Sequence, residues 1–173
     1  YAMYAQSHKL PCQDPLTPTS ITRLFQTVSK EDELNFFTKY IEELYCAHEL
    51  PTRRFWALDS TSISTYAKLA DAKFGHNKQN EDIPQINVLM ITEQKTGRPI
   101  FYNRFNGAIP DVSTVTSTFE TLLHLGTRSF VAVMDRGYYS KENMNMIISS
   151  GYHFLLCIPL DKVSVFSDAI DEA

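Results

Sequence analysis

Cysteine is scarce in this 173-residue chain: Cys12, Cys46 and Cys157 are odd in number and include no CxxC pair. Neither a disulfide framework nor a cysteine-built zinc site is suggested, and a reducing compartment fits best. Glycine, at six residues, and proline, at eight, are too few for a fibrous or linker-like chain. Long hydrophobic runs are missing as well. The longest, Phe130 to Met134 and Phe154 to Ile158, fall far short of the roughly 20 residues a membrane helix needs, and read as buried strands. The chain opens without a basic stretch followed by an apolar one, which argues against a secretion signal, and without an initiator Met, as in a piece excised from something longer. Positive charge is also short: 16 Lys and Arg face 20 Asp and Glu, a net charge of -4. A protein that embraces DNA through many phosphate contacts usually carries a basic face. Either the gripping segments lie outside this chain or it binds no nucleic acid, and composition by itself leans to the second.

What is present describes one ordinary globular core, with 43% apolar and 21% charged residues. A short helix is expected around Ile21 to Val28. Ser29 followed by Lys30, Glu31 and Asp32 resembles an N-cap with acids in the first turn. Leu34, Phe37, Ile41, Leu44 and Tyr45 then recur at helical steps, giving an amphipathic helix that ends near Leu50 and Pro51. From Arg53 the period changes. Phe55 to Leu58 starts a strand that runs into Asp59-Ser60-Thr61-Ser62. Gln85 to Thr92 and Pro99 to Phe105 are two more strands, joined as a hairpin by Lys95-Thr96-Gly97. Asp111 or Ser113 is placed to cap a helix carrying Val115, Phe119, Leu122 and Leu123, closed by Gly126. Phe130 to Met134 lacks alternation, as a parallel strand covered on both faces would, and delivers Asp135 at its carboxyl end. Ser140 caps another helix, closed by Gly151, and His153 to Ile158 is a fifth strand. The order predicts an α/β sheet with flanking helices.

In such sheets ligands gather beyond the carboxyl ends of neighbouring parallel strands. If the first and fourth strands are adjacent, Asp59 and Asp135 meet there despite 75 intervening residues. Two carboxylates at one strand edge call for a cation between them. Mg²⁺ suits oxygen ligands completed by water and phosphate, and a pair of such ions serves phosphoryl transfer. Spacing alone leaves the plain alternative standing: each Asp as an ordinary turn or cap residue. Arg136 has two readings, a phosphate ligand or a local ion pair. Lys78 and Arg104 face DNA on one reading and are solvated surface charge on the other. Tyr138 and Tyr139 would stack on a flipped base or pack in the core. The histidines His76, His124 and His153 lack ligand spacing.

Five blocks occur in an order with a precedent: Phe55-Trp56-Ala57-Leu58-Asp59-Ser60-Thr61-Ser62; Gly75-His76-Asn77-Lys78 leading to Asp82-Ile83-Pro84-Gln85; Gly97-Arg98-Pro99-Ile100; Phe105-Asn106-Gly107 leading to Asp111; and Met134-Asp135-Arg136-Gly137-Tyr138-Tyr139-Ser140. Over residues 53–160 the chain resembles the insertion-sequence DDE transposases of the RNase H-like fold. That resemblance implies a mixed sheet in order 3-2-1-4-5, an N-terminal helical segment over 1–52, a partial catalytic core over 53–160, and the start of an insertion or a tail over 161–173. It puts the family's two aspartates on Asp59 and Asp135, as catalytic and metal-binding groups for two Mg²⁺ or Mn²⁺ ions. The implied activity is DNA strand cleavage and strand transfer on transposon ends and target DNA, by a homodimer on DNA, with no membrane role. The implied setting is a bacterial or archaeal cytoplasm, on the nucleoid. The family's third acid is a Glu within a Tyr, Arg, Glu, Lys signature on a late helix. No such signature occurs here, and Glu172 comes too soon after the fifth strand to be it, so the isolated piece is expected to be inactive. The alternative is a non-catalytic, domesticated or truncated DNA-binding or assembly module. A sugar kinase-like ATPase would want a glycine-rich phosphate loop, and a haloacid dehalogenase-like phosphatase a second acid two residues after the first; neither is present.

Overall fold

The computed structural model describes residues 16–46, 54–75, 82–127 and 130–158. The chain divides into two compact units, Tyr1–Lys39 and Tyr40–Ala173. Helix α1 spans Pro18–Thr27, with Thr17 accepting the Ser20 N–H at its start and Pro at the first turn. It buries no residue. Helix α2, Lys30–Cys46, opens as expected at Ser29. The Ser29 hydroxyl accepts the Asp32 N–H at 3.1 Å while the Asp32 carboxylate accepts the Ser29 N–H at 2.9 Å, a reciprocal capping box. Phe37, Ile41 and Leu44 are the buried members of the apolar stripe. The expected end at Leu50 and Pro51 lies outside the described residues.

The sheet comprises β1 (Phe55–Ser64), β2 (Gln85–Glu93), β3 (Pro99–Asn106), β4 (Val131–Met134) and β5 (His153–Leu156). Its order is β3-β2-β1-β4-β5, the RNase H-like order that the resemblance implies. β2 runs antiparallel to both β1 and β3, whereas β4 is parallel to both β1 and β5. Glu93 holds the β2–β3 turn: its buried carboxylate accepts the Lys95 N–H and both the N–H and the hydroxyl of Thr96. Helix α3 (Val115–His124) links β3 to β4 and helix α4 (Lys141–Ser149) links β4 to β5. Gly126 and Gly151 follow them at φ +72° and +77°, the left-handed closures expected of both.

Alternation along β1 decides which face is covered. Trp56, Leu58 and Ser60 are buried, as are their β2 partners Glu93, Ile91 and Leu89. On this side Trp56 stacks on Phe130 at 4.2 Å, and Phe119 of α3 lies 5.9 Å from Phe130 and 5.5 Å from Tyr152. α4 packs beside α3. The opposite face carries Asp59, Thr61 and Ile63 and is open among the described residues, with Met90, Ile63 and Leu155 all exposed.

Three expectations need correcting. β4 is not covered on both faces: Ala132 and Met134 are buried, but Val131 and Val133 are half-open. An apolar strand without alternation signals burial on two sides only when a second layer is in place. In the fifth strand Leu155 is 61% exposed, because β5 is an edge strand with one face open. Neither Asp111 nor Ser113 caps α3. Asp111 instead begins a 3₁₀ turn, Asp111–Thr114, that runs straight into the helix, and no side chain caps either start.

Candidate active site

The parallel register between β1 and β4 ends at Leu58 opposite Met134, so Asp59 and Asp135 are the next residues on adjacent strands. β4 stops there, but β1 continues through Ser64 against β2, with Asp59 opposite Met90. Asp59 is thus mid-strand, at the point where its β4 neighbour leaves, rather than at a strand end. Met134 faces the covered side and Asp135 keeps extended backbone, φ -82° and ψ 172°, so alternation turns it toward the open face that Asp59 occupies. Both carboxylates belong to exposed residues.

Each keeps one oxygen tied locally. Asp59 Oδ1 accepts the Ser60 N–H at 2.8 Å, and Asp135 Oδ1 accepts the Gly137 N–H at 2.6 Å. The second contact shapes a 3₁₀ turn over Arg136–Tyr138. A Cβ on Gly137 would sit 2.9 Å from Asp135 Oδ1, so a larger residue would push the carboxylate off its donor. The other oxygen of each Asp makes no hydrogen bond with a described residue and is available to an incoming ligand.

Beneath them lies Tyr138, 2% exposed, whose hydroxyl sits beside Ser60 without completing a hydrogen bond of good geometry. Burial pushes its phenol well above the ordinary value. The Ser60 hydroxyl opposes that rise, while the negative charges of Asp111, Asp59 and Asp135 add to it. One buried hydroxyl therefore senses three carboxylates. Asp111 has no hydrogen bond or ion pair from its side chain to any described residue. Still, no group of three or more His, Cys, Asp or Glu among the described residues is placed to hold a metal ion together. Among the described residues, Asp59 and Asp135 are the two carboxylates that the β1–β4 register brings together.

Of the remaining candidates, Arg136 is exposed beside Asp135 and makes no ion pair with a described residue. Arg104, on β3, binds Asp71 at 3.2 Å, so its charge is shared with a carboxylate rather than displayed alone. Lys78, His76 and Glu172 lie outside the described residues. Tyr138 is buried and out of reach of a flipped base, so the packing reading holds for it. A shallow hollow of about 270 Å³, lined by Ile148, Gly151, Tyr152, His153 and Phe154, opens where β5 begins, away from the carboxylates. Sequence reasoning passed over Asn143, which is 5% exposed and bonded to both turns at this end. Its partners are backbone carbonyls, so no side-chain motif could reveal it. No helix among the described residues is long and apolar enough to cross a membrane.

Among curated proteins none matches the chain significantly. Solved structures align with it at low identity. The catalytic domain of Mos1 mariner transposase aligns with a TM-score of 0.41 and 9% identity over 84% of this chain and 74% of that one. The Mos1 mariner paired-end complex with Mn aligns at 0.43 and 10%, over 89% of this chain and 48% of that one. The simian T-cell lymphotropic virus intasome aligns at 0.43 and 15%, over 71% and 38%. This chain thus spans less than half the length of the last two structures. The stronger match is to a family model described as the transposase DDE domain, over residues 50–164, more than half of the chain and including both aspartates. The chain belongs to the transposase DDE domain family.

Proposed function

We propose that this chain carries part of the catalytic core of a DNA transposase, with Asp59 and Asp135 as its metal-binding, catalytic carboxylates. The observation that carries the reading is the β1–β4 register, which brings two exposed aspartates side by side on the open face, each with an oxygen to give. Carboxylate oxygens suit a hard divalent ion such as Mg²⁺ or Mn²⁺ that keeps some water and takes phosphate as a further ligand. Bound there, such ions would activate an attacking oxygen and stabilise the leaving one in a displacement at phosphorus. The protein's own share is to fix the carboxylates through the Ser60 and Gly137 amides, and to offer Arg136 to a phosphate oxygen. Arg104 and Lys78 are weaker candidates for the DNA backbone. The partners that follow are transposon-end and target DNA, with a homodimer as the acting form in the cytoplasm. The functional boundaries proposed are 1–52 for the helical segment, 53–160 for the core and 161–173 for the tail.

The experiment is a calorimetric titration of the chain with Mn²⁺. Asp59→Asn and Asp135→Asn should each weaken binding by about tenfold or more, and the double variant should abolish it, as expected when ligands rather than bystanders are removed. Wild-type affinity in the double variant would refute the assignment.

A further inference from the structure

We infer that Asn143 is a positioning residue for the Asp135 carboxylate, acting as a clamp between the two turns that flank the acidic end of the sheet. This rests on the reading of Asp59 and Asp135 as metal-binding groups, and adds to it a residue that touches neither metal nor DNA.

Asn143 lies in the first turn of α4, where Ser140 Oγ accepts its backbone N–H at 3.0 Å and fixes its position. Its side-chain amide donates in two directions. Nδ2 reaches the Val112 carbonyl at 2.8 Å and the Tyr138 carbonyl at 3.1 Å. Val112 belongs to the Asp111–Thr114 turn and Tyr138 closes the Arg136–Tyr138 turn. The two hydrogens of a planar amide point in fixed directions, so one side chain sets the spacing of both turns at once.

The consequence for Asp135 follows bond by bond. Its Oδ1 is oriented by the Gly137 N–H, and its backbone carbonyl accepts the Tyr138 N–H at 3.3 Å. That turn is three residues long, with one backbone bond from Tyr138 to Asp135 and one from Tyr139 to Arg136, and its far end is fastened at the Tyr138 carbonyl. Release of that carbonyl lets the turn unwind, and the Gly137 N–H then leaves the carboxylate. On the other side of the clamp, Val112 keeps Asp111 close enough for its charge to be felt at the Tyr138 hydroxyl, together with those of Asp59 and Asp135. The amide also satisfies two backbone carbonyls, so its removal costs stability as well as geometry, and a metal-affinity readout beside the stability readout separates the two.

The test measures Mn²⁺ affinity and urea stability side by side in the same chain. Asn143→Leu keeps the branched outline and removes both donated bonds. Asn143→Asp keeps the shape and adds a negative charge, which on its own favours a cation, so weaker binding there reports loss of the clamp. Both should bind Mn²⁺ about tenfold more weakly, at the lower end of what outer-shell partners of metal ligands contribute. Glu93→Gln, in the hairpin turn at the opposite end of β2, is the control: it should lose stability yet hold its Mn²⁺ affinity within about twofold. Asn143 variants that lose stability but bind Mn²⁺ as the wild type does would make Asn143 a plain structural residue and overturn this inference alone. Mn²⁺ binding that survives Asp59→Asn combined with Asp135→Asn would overturn the parent reading, and this one with it.

Discussion

Phe130→Ala tests whether the packing beneath the β1–β4 seam is what holds the two aspartates in register. Phe130 is 2% exposed, stacks on Trp56 of β1 at 4.2 Å and meets Phe119 of α3 at 5.9 Å and Tyr152 at 4.7 Å. It immediately precedes β4, so its ring spans the two strands whose register sets Asp59 beside Asp135. Truncating a fully buried Phe removes the transfer free energy of its ring and leaves a cavity, together about 3–5 kcal/mol. Three aromatic neighbours resist collapse into that space, which favours the upper half, about 4 kcal/mol. For a chain of this length that corresponds to a fall in melting temperature of roughly 8–16 °C. The assay is convenient, because Trp56 is the only tryptophan and the ring leaving it is its stacking partner. Urea unfolding followed by Trp56 fluorescence therefore reads both stability and local packing. Leu123→Ala, on the same helix as Phe119 but 45% exposed, should lose less than about 1 kcal/mol. A Phe130→Ala loss below about 1.5 kcal/mol would refute the packing argument and, with it, the claim that the seam is fixed from beneath.

Two further predictions concern titrating groups. Burial tends to raise the Glu93 carboxyl, but hydrogen bonds from the Thr96 hydroxyl and the Lys95 and Thr96 amides, with the Lys95 charge, outweigh it and leave the group below its ordinary 4.5. A depressed folded value adds stability above the unfolded one and loses it as pH falls through the folded one. Glu93→Gln should thus be about 1–2 kcal/mol less stable than wild type at pH 7 by urea unfolding, with the gap closing below about pH 4; a gap unchanged at pH 3 would count against it. Tyr138 has the opposite sign: burial raises its phenol, so above about pH 10 the unfolded chain ionises where the folded one does not, and stability falls as pH rises. Tyr138→Phe should change stability by less than about 1 kcal/mol at pH 7, since the hydroxyl completes no good hydrogen bond, and should flatten the alkaline loss. A loss of 2 kcal/mol or more at pH 7 would show that the hydroxyl is bonded after all.

The succession of strands and helices and both helix closures were legible because they depend on local period and on Gly126 and Gly151, whereas the order of the strands in the sheet came from the family resemblance. The meeting of Asp59 and Asp135 depended on something else. Periodicity allowed it, the five ordered blocks implied it, and the Leu58–Met134 register gives it a geometry. What stayed hidden was long-range or backbone-mediated. Arg104 finds Asp71 across a loop, and Asn143 finds the Val112 carbonyl 31 residues away. Asp111 was misread because an acid ahead of an apolar helix looks like a cap, although Pro110 sets the entry and a 3₁₀ turn intervenes. The open face of β4 was invisible for a different reason. Hydrophobicity records that a strand can be covered on both sides, not that the covering layer is among the residues at hand.

The acidic balance of the chain gains a local meaning at this site. On the proposed reading, a phosphate must approach two exposed carboxylates and Asp111, which already register together at the Tyr138 hydroxyl. Negative charges grouped there repel an incoming anion. The described side chains offer little relief: Arg136 stands unpaired beside Asp135, whereas Arg104 is held by Asp71. One guanidinium cannot offset two carboxylates and a phosphate, so the arrangement accommodates an anionic substrate only when cations lie between them. On the proposed reading, two of the acids behind the charge of -4 would serve as ligands to a cation, so that charge does not by itself argue against nucleic acid at this end of the sheet. On the same reading the Gly137 amide and the Asn143 clamp are consequential, since an ion bound through these two carboxylates would depend on where they point.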